Sequence, residues 1–175
     1  MSRSLGNTIA DSLRLSLGYA ERLLTDVPTD RFARFASPGG QPVNSNHPAF
    51  IYGHLSLYAP QMVQQMGGDA SKITPPDRYS DLFSKDATCQ DDVDGTIYPA
   101  KDEITSALFE GYAQVLECLG RVDDDTLQQA NPLGGTFAEK FPTIGSMHAF
   151  YVGGHMMIHF GQMSAWRRMI GLGSA

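Results

Sequence analysis

The chain has 175 residues, of which 42% are hydrophobic and 18% charged, and its formal net charge is −6. This composition is typical of a globular protein and not of a disordered one, and the length is that of a single domain, residues 1–175, with a buried core. The negative net charge and the scattered basic residues argue against nucleic acid as a partner, because the sequence has no cluster of basic residues that could bind phosphates.

The sequence shows no recognisable targeting segment or membrane span. Residues 1–10 lack the sustained apolar run of a signal peptide, and no stretch of about 18 uncharged apolar residues occurs. Cys89 and Cys118 do not form a CxxC motif, and this cysteine usage suggests a reducing compartment. We therefore expect a cytoplasmic protein without membrane partners.

Two long helices are predicted in the first half of the chain. In residues 4–27 apolar residues recur every three or four positions, which predicts a helix that ends before Pro28. After a loop rich in proline and glycine, Pro48 suits the first turn of a second helix, which Pro60 should kink and Gly67 should end. Residues 69–98 then form a long connection with one short helix near residues 79–85.

Two further helices are predicted in the second half. The third runs from about Pro99 to Gly120, Asp123 could cap a short helical turn, and the fourth runs from Pro142 to about Gly171. Alternation typical of strands is sparse. The predicted fold class is therefore all-α, a four-helix bundle with a long connection between helices 2 and 3.

The five histidines lie on two of these helices. His155 and His159 are four residues apart, so on a helix their imidazoles point to one side and can bind one metal ion. His54 lies among the apolar positions of the second helix. Three imidazoles form the ligand set of a catalytic type of metal site with an open fourth position, and nitrogen ligands suit Zn, Ni, Fe or Cu. The alternative is a set of core histidines satisfied by hydrogen bonds.

The remaining two histidines are candidates for proton transfer. His148 precedes His155 by a heptad, about 10 Å along a helix axis, which is too far to share its ion. We expect His148 at the surface or at a pocket rim, and His47 in solvent at the end of the second helix. Either could shuttle protons near neutral pH, and no other catalytic residue is recognisable.

Three polar side chains are candidates for the surroundings of the histidines. Gln162 lies one turn beyond His159 and could hydrogen-bond a ligand or a neighbouring helix. Tyr58 and Tyr151 lie on or near the histidine faces and could line a pocket.

Several common active-site motifs are absent from the sequence. Met156 follows His155, so no HExxH motif with an adjacent general base exists, and no ExxH motif of a di-iron bundle occurs. The chain also lacks a GxSxG elbow, a phosphate-binding loop and a dinucleotide fingerprint.

The sequence resembles the DinB/YfiT-like metalloenzyme family. The similarity covers nearly the whole chain and rests on Gly53-His54-Leu55, on His155-x-x-x-His159-x-Gly161-Gln162 and on Trp166-Arg167-Arg168. It implies a four-helix bundle of up-down-down-up topology in which His54, His155 and His159 hold one divalent ion, often nickel or zinc.

The resemblance also implies a type of activity. The family includes metal-dependent S-transferases that use low-molecular-weight thiols and a thiol-dependent maleylpyruvate isomerase, which implies a small-molecule substrate, a thiol cofactor and a homodimer. The chain departs from the family pattern at Gly153-Gly154, just before His155. Two glycines at this point are unexpected, because glycine weakens a helix. We attribute the two glycines to the close approach of another helix or to room for a ligand.

Two functions remain open from the sequence. The first is a metal-dependent enzyme, a thiol-dependent transferase or, next, a hydrolase. The second is a non-catalytic metal-binding or small-molecule-binding bundle that acts as a dimeric interaction module.

Overall fold

The computed structural model describes residues 3–175, and the secondary structure of this range is helical. No β-strand occurs among these residues, and one isolated antiparallel bridge joins Ala130 to Thr143. The all-α class predicted from the sequence is confirmed.

The helices follow the predicted order, with additional short elements between them. Two 3₁₀ turns cover Thr29–Arg31 and Pro38–Gly40, and a π-helical segment covers Phe150–His155. The α-helices are α1 (Leu5–Leu24), α2 (Pro48–Ser56), α3 (Ala59–Gln65), α4 (Arg78–Phe83), α5 (Lys101–Leu119), α6 (Asp124–Gln128), α7 (Gly135–Lys140), α8 (Ile144–Ala149) and α9 (Met156–Met169).

The first predicted helix corresponds to α1, and side chains bind both of its ends. Ser4 caps the N-terminus by accepting a hydrogen bond from the backbone N–H of Asn7. At the C-terminus the buried guanidinium of Arg167 donates to the carbonyls of Leu23 and Thr25, at 2.8 and 2.5 Å. Carbonyls at a helix end lack partners within the helix, so Arg167 links α1 to α9.

The second predicted helix is divided into α2 and α3. Pro60 lacks a backbone N–H and its ring clashes with the carbonyl four residues earlier, which belongs to Ser56, the last residue of α2. The kink predicted at Pro60 is therefore a break. Gly67, with a φ of 76°, follows the end of α3 as predicted.

The long connection between α3 and α5 is well anchored. It contains α4, which packs against α2. The buried carboxylate of Asp92 accepts hydrogen bonds from the backbone N–H groups of Thr96, Ile97 and Tyr98. These bonds fix the C-terminal part of the connection.

The region after α5 differs most from the prediction. Asp123 caps α6 as predicted, by accepting from the N–H of Thr126, but α7 was not predicted. The fourth predicted helix is continuous, but it passes through the π-helical segment between α8 and α9. The segment contains Gly153 and Gly154.

The expectation that another helix approaches these glycines is wrong. A Cβ at Gly153 would meet no atom within 4 Å, and one at Gly154 would meet only the ring of Phe150, at 3.4 Å. The glycines coincide instead with the wider turns of the π-helical segment.

The core lies between four of the helices. α2 packs against α5 and α9, and α1 packs against the same two helices. All nine residues of α2 are buried, and Tyr52, Tyr112, Phe160 and Trp166 are among the largest side chains in the core. Among residues 3–175, no helix combines the length and the apolar character needed to cross a bilayer.

Candidate metal centre

Three histidine side chains meet between α2 and the last helix. The Nε2 atom of His155 lies 3.3 Å from Nε2 of His54 and 3.2 Å from Nε2 of His159. The three candidate ligand atoms all lie within 4.8 Å of one another. The structure thus brings together the residues predicted as metal ligands, and we refer to His54, His155 and His159 as the histidine cluster.

Packing between α2 and α4 orients His54. Its Nδ1–H donates to the carbonyl of Phe83, at 2.7 Å, so the Nε2 atom presents a lone pair to the cluster. The close approach of α4 depends on Gly53, because a Cβ at that position would lie 2.6 Å from the ring of Phe83. A backbone carbonyl is a typical outer partner of a metal-binding histidine.

A side-chain amide orients His159 in the same way. Its Nδ1–H donates to Oε1 of Gln162 at 3.0 Å, and Nδ2 of Asn46 donates to the same oxygen at 3.2 Å. The Nε2 lone pair of His159 therefore also faces the cluster. Gln162 contacts both a ligand candidate and the segment before α2.

His155 lacks such an acceptor. Its Nδ1 atom is buried and has no hydrogen-bond partner among residues 3–175. The ring instead packs against Tyr58, Phe150 and Tyr151, at centroid distances of 4.7, 5.7 and 5.9 Å. Aromatic packing, rather than a hydrogen bond, therefore positions His155.

Hydrogen bonds alone cannot satisfy all the Nε2 atoms of the histidine cluster. Burial, aided by the two neighbouring histidines, lowers the pKa of His155 to about 3, and burial also lowers the pKa of His54 and of His159. All three rings are therefore neutral near pH 7. The Nε2 atom of His155 has at most one hydrogen to donate and faces two lone pairs, so one close N···N contact lacks a proton. A cation would accept all three lone pairs.

Two of the three spacings between the nitrogens, those from Nε2 of His155, match the spacing of ligands on one divalent ion. Two nitrogens bound to one zinc ion at about 2.0–2.1 Å and at the tetrahedral angle lie about 3.3 Å apart. The observed distances from Nε2 of His155 are 3.3 and 3.2 Å. Three neutral imidazoles also suit Ni, Fe or Cu, whereas Mg and Ca prefer oxygen ligands. The residues present therefore fit the ion that the sequence predicts.

The π-helical segment determines where His155 lies on the last helix. A π turn closes by i→i+5 hydrogen bonds and so holds one residue more than an α turn, which shifts every later side chain around the axis. Ser16 of α1 contacts this segment, because its hydroxyl donates to the carbonyl of Val152 at 2.6 Å. Such segments are rare and occur frequently at functional sites.

A cavity of about 390 Å³ opens beside the histidine cluster. This volume is within the range of about 300–1,000 Å³ that is typical of small-molecule sites. The residues that line it are His54 and His159, the apolar Phe50 and Ala87, and the polar Asn46, Ser84 and Lys85. A small molecule can therefore reach the cluster from this side.

Tyr58 and Tyr151 lie beside the histidines but do not line that cavity. The Tyr58 hydroxyl donates toward Nε2 of His54, at 3.3 Å. Burial raises the pKa of Tyr58 to about 12, so its phenol is protonated near pH 7. Tyr151 stacks on Phe137 of the unpredicted helix α7, at a centroid distance of 5.9 Å.

His148 and His47 lie outside the cluster, and the expectation that they are exposed is wrong. Both side chains are fully buried. His148 donates through Nε2–H to Oε1 of Gln65, at 2.8 Å. His47 accepts from the N–H of Phe50 through Nδ1, which caps α2, and donates through Nε2–H to the carbonyl of Gln90. Neither ring hydrogen-bonds to the cluster, and the shuttle role stays a prediction.

The chain matches no model of a protein family and no curated protein sequence. The DinB/YfiT-like family therefore stays a prediction from the histidine pattern and the order of the helices.

Proposed function

We propose that the chain is a metal-dependent enzyme in which the histidine cluster holds one divalent ion, nickel or zinc, and acts on a small-molecule substrate. The observation that carries the proposal is the convergence of three neutral imidazoles beside a cavity of about 390 Å³. When bound, such an ion lowers the pKa of a coordinated water or thiol and so supplies a nucleophile at neutral pH.

The protein's own groups would prepare this site in three ways. Phe83 and Gln162 fix the tautomers of two ligands, so that their Nε2 lone pairs are available without reorganisation. The aromatic rings around His155 exclude water from one side of the cluster. The Tyr58 hydroxyl lies close enough to the cluster to donate a hydrogen bond to a ligand bound there.

For the reaction, we propose transfer to or from a low-molecular-weight thiol, with hydrolysis as the second choice. The preference for a thiol comes from the DinB/YfiT-like resemblance. The same resemblance leads us to propose an up-down-down-up four-helix bundle and a homodimer. The packing of α1 and α2 against both α5 and α9 supports the bundle, and the unpaired Cys89 and Cys118 are in keeping with a cytoplasmic location.

Elemental analysis of untagged protein tests the proposal, with His54→Ala and His155→Ala beside the wild type. We expect about one equivalent of Ni or Zn in the wild type and none in either variant. Thiol-transfer and hydrolysis assays with the metal found would then identify the reaction. Absence of metal, with no uptake of Zn, Ni, Mn or Fe on titration, would contradict the proposal and favour a non-catalytic interaction module.

A further inference from the structure

Neither the ligand candidates of the histidine cluster nor the outer partners of His54 and His159 carry a negative charge. All three ligand candidates are neutral, and the outer partners of His54 and His159 are a carbonyl and an amide rather than carboxylates. A divalent ion there would therefore keep its full charge of +2. Many metal sites have a carboxylate as a ligand or as the outer partner of a histidine.

The cavity beside the cluster adds a further positive charge. Lys85 lines it, and none of the other described lining residues is acidic. Within residues 3–175, Lys85 forms no ion pair, since the five ion pairs found there involve only arginines. Asp86 follows Lys85 in the sequence but does not line the cavity.

We propose that this cavity selects ligands with two anionic groups, one bound at the metal and a carboxylate bound by Lys85. The proposal rests on the proposed function, because the charge at the cluster comes from the ion. A net positive cavity in a chain of net charge −6 attracts an anion locally, although the whole protein repels it. Lys85 is exposed, so its pairing with the carboxylate contributes specificity more than affinity.

The chemical class of the ligand combines the thiol of the proposed function with the position of Lys85. A thiolate suits the ion, because thiolates are strong ligands of zinc and nickel. The four-carbon stem of a lysine gives its ammonium group reach and mobility, so it can pair with a carboxylate located a few bonds from the sulfur. The inferred ligand is therefore a thiol that carries a carboxylate, with Asn46 and Ser84 as further hydrogen-bonding groups of the cavity wall.

Three small thiols that differ in charge test this inference by calorimetry on the metal-loaded protein. The probes are 3-mercaptopropionate, 2-mercaptoethanol and 2-mercaptoethylamine, which bear a negative, a neutral and a positive second group. We expect the wild type to bind the first up to about fivefold more tightly than the second, the strength of an exposed charge pair, and the third most weakly. The preference should weaken in high salt.

The variant Lys85→Met separates Lys85 from the metal. It should bind 2-mercaptoethanol as the wild type does but lose the preference for 3-mercaptopropionate. Lys72→Met, which removes the same charge from a different cavity, should behave as the wild type.

The outcomes distinguish the two proposals. A wild type that loads metal but binds the three thiols equally would overturn the selectivity and leave the metal site intact. A preference for 3-mercaptopropionate that persists in Lys85→Met would also overturn the role of Lys85, because chelation by the metal alone would then explain it. A protein that takes up no metal would overturn both proposals.

Discussion

The chain contains two kinds of buried histidine, and the groups that their Nε2 atoms face, rather than burial, distinguish them. Burial lowers the pKa of His47 and of His148 to about 4 and that of His155 to about 3. Both nitrogens of His47 have protein partners, whereas His148 donates through Nε2–H to Gln65 and its buried Nδ1 has no partner among residues 3–175. In the histidine cluster, by contrast, the Nε2 atoms face one another. A depressed pKa alone therefore does not identify a metal ligand.

The largest expected difference between the two kinds concerns metal affinity. His155→Ala removes one of three ligands and should lower the affinity for zinc or nickel by more than the about 10- to 100-fold that loss of an outer partner costs. His148→Ala removes a buried histidine from the same continuous helix and should leave the affinity unchanged. Competition with a chromogenic chelator measures both, and equal losses in the two variants would contradict the distinction.

In the metal-free protein the order should be reversed: replacing a histidine outside the cluster should lower the stability more than replacing one within it. His47→Ala removes the cap of α2 and the donor to the Gln90 carbonyl, which should lower the free energy of unfolding by about 2 kcal/mol. His155→Ala should cost less, because it also removes two close N···N contacts. Urea unfolding compares them. His47→Asn serves as the control, since asparagine is a good cap and should recover part of the loss.

The pH dependence of stability in the metal-free protein should report on every histidine whose pKa is lowered, and His148 gives a defined window. Burial lowers the pKa of His148 from 6.5 to about 4, so between these pH values the unfolded chain binds a proton that the folded chain does not. The free energy of unfolding should therefore fall as the pH falls through this window, by about 1.4 kcal/mol per pH unit for one such group.

The variant His148→Gln tests this pH dependence in metal-free protein. Its stability should change by about 1.6 kcal/mol less than that of the wild type between pH 6.5 and 5. Urea unfolding at the two pH values measures the change. An unaltered pH dependence would mean that His148 becomes protonated in the folded state as readily as in the unfolded one.

The smallest expected effect concerns the outer partner of His159. Gln162→Met removes the acceptor for Nδ1–H and should weaken metal binding about tenfold. Gln162→Glu keeps an acceptor, adds a charge and should bind metal at least as tightly as the wild type. The same chelator competition measures both variants. Weaker binding by the glutamate variant than by the methionine variant would show that Gln162 does not act through His159.

Much of the fold could be predicted because local signals determine it. Apolar spacing predicted α1 and α5, Pro48 predicted where α2 begins, and Asp123 predicted the start of α6. Pro60 predicted a kink at the place where the chain breaks between α2 and α3. The spacing of His155 and His159 on one helix likewise indicated a shared site. His54 could be included because a histidine among apolar positions requires a partner.

Other features depend on contacts between distant segments, which periodicity does not report. His47 is buried and hydrogen-bonded to Gln90 of the long connection, and Arg167 caps a helix more than 140 residues earlier. The helix α7 has no buried residue and hence no strong apolar pattern. Gly153-Gly154 did signal an irregularity, but sequence alone did not distinguish a close helix contact from a wider turn.

The π-helical segment also limits which changes in length the chain can tolerate. Deletion of Gly153 would favour a regular α-helix in its place and would rotate α9 by about 100° relative to α8, the angle of one residue. That rotation would move His159 away from His54, and it would also turn Phe160 and Trp166 out of the core. The additional residue in this turn thus couples the geometry of the site to the packing of the core, so a deletion that changes one also changes the other.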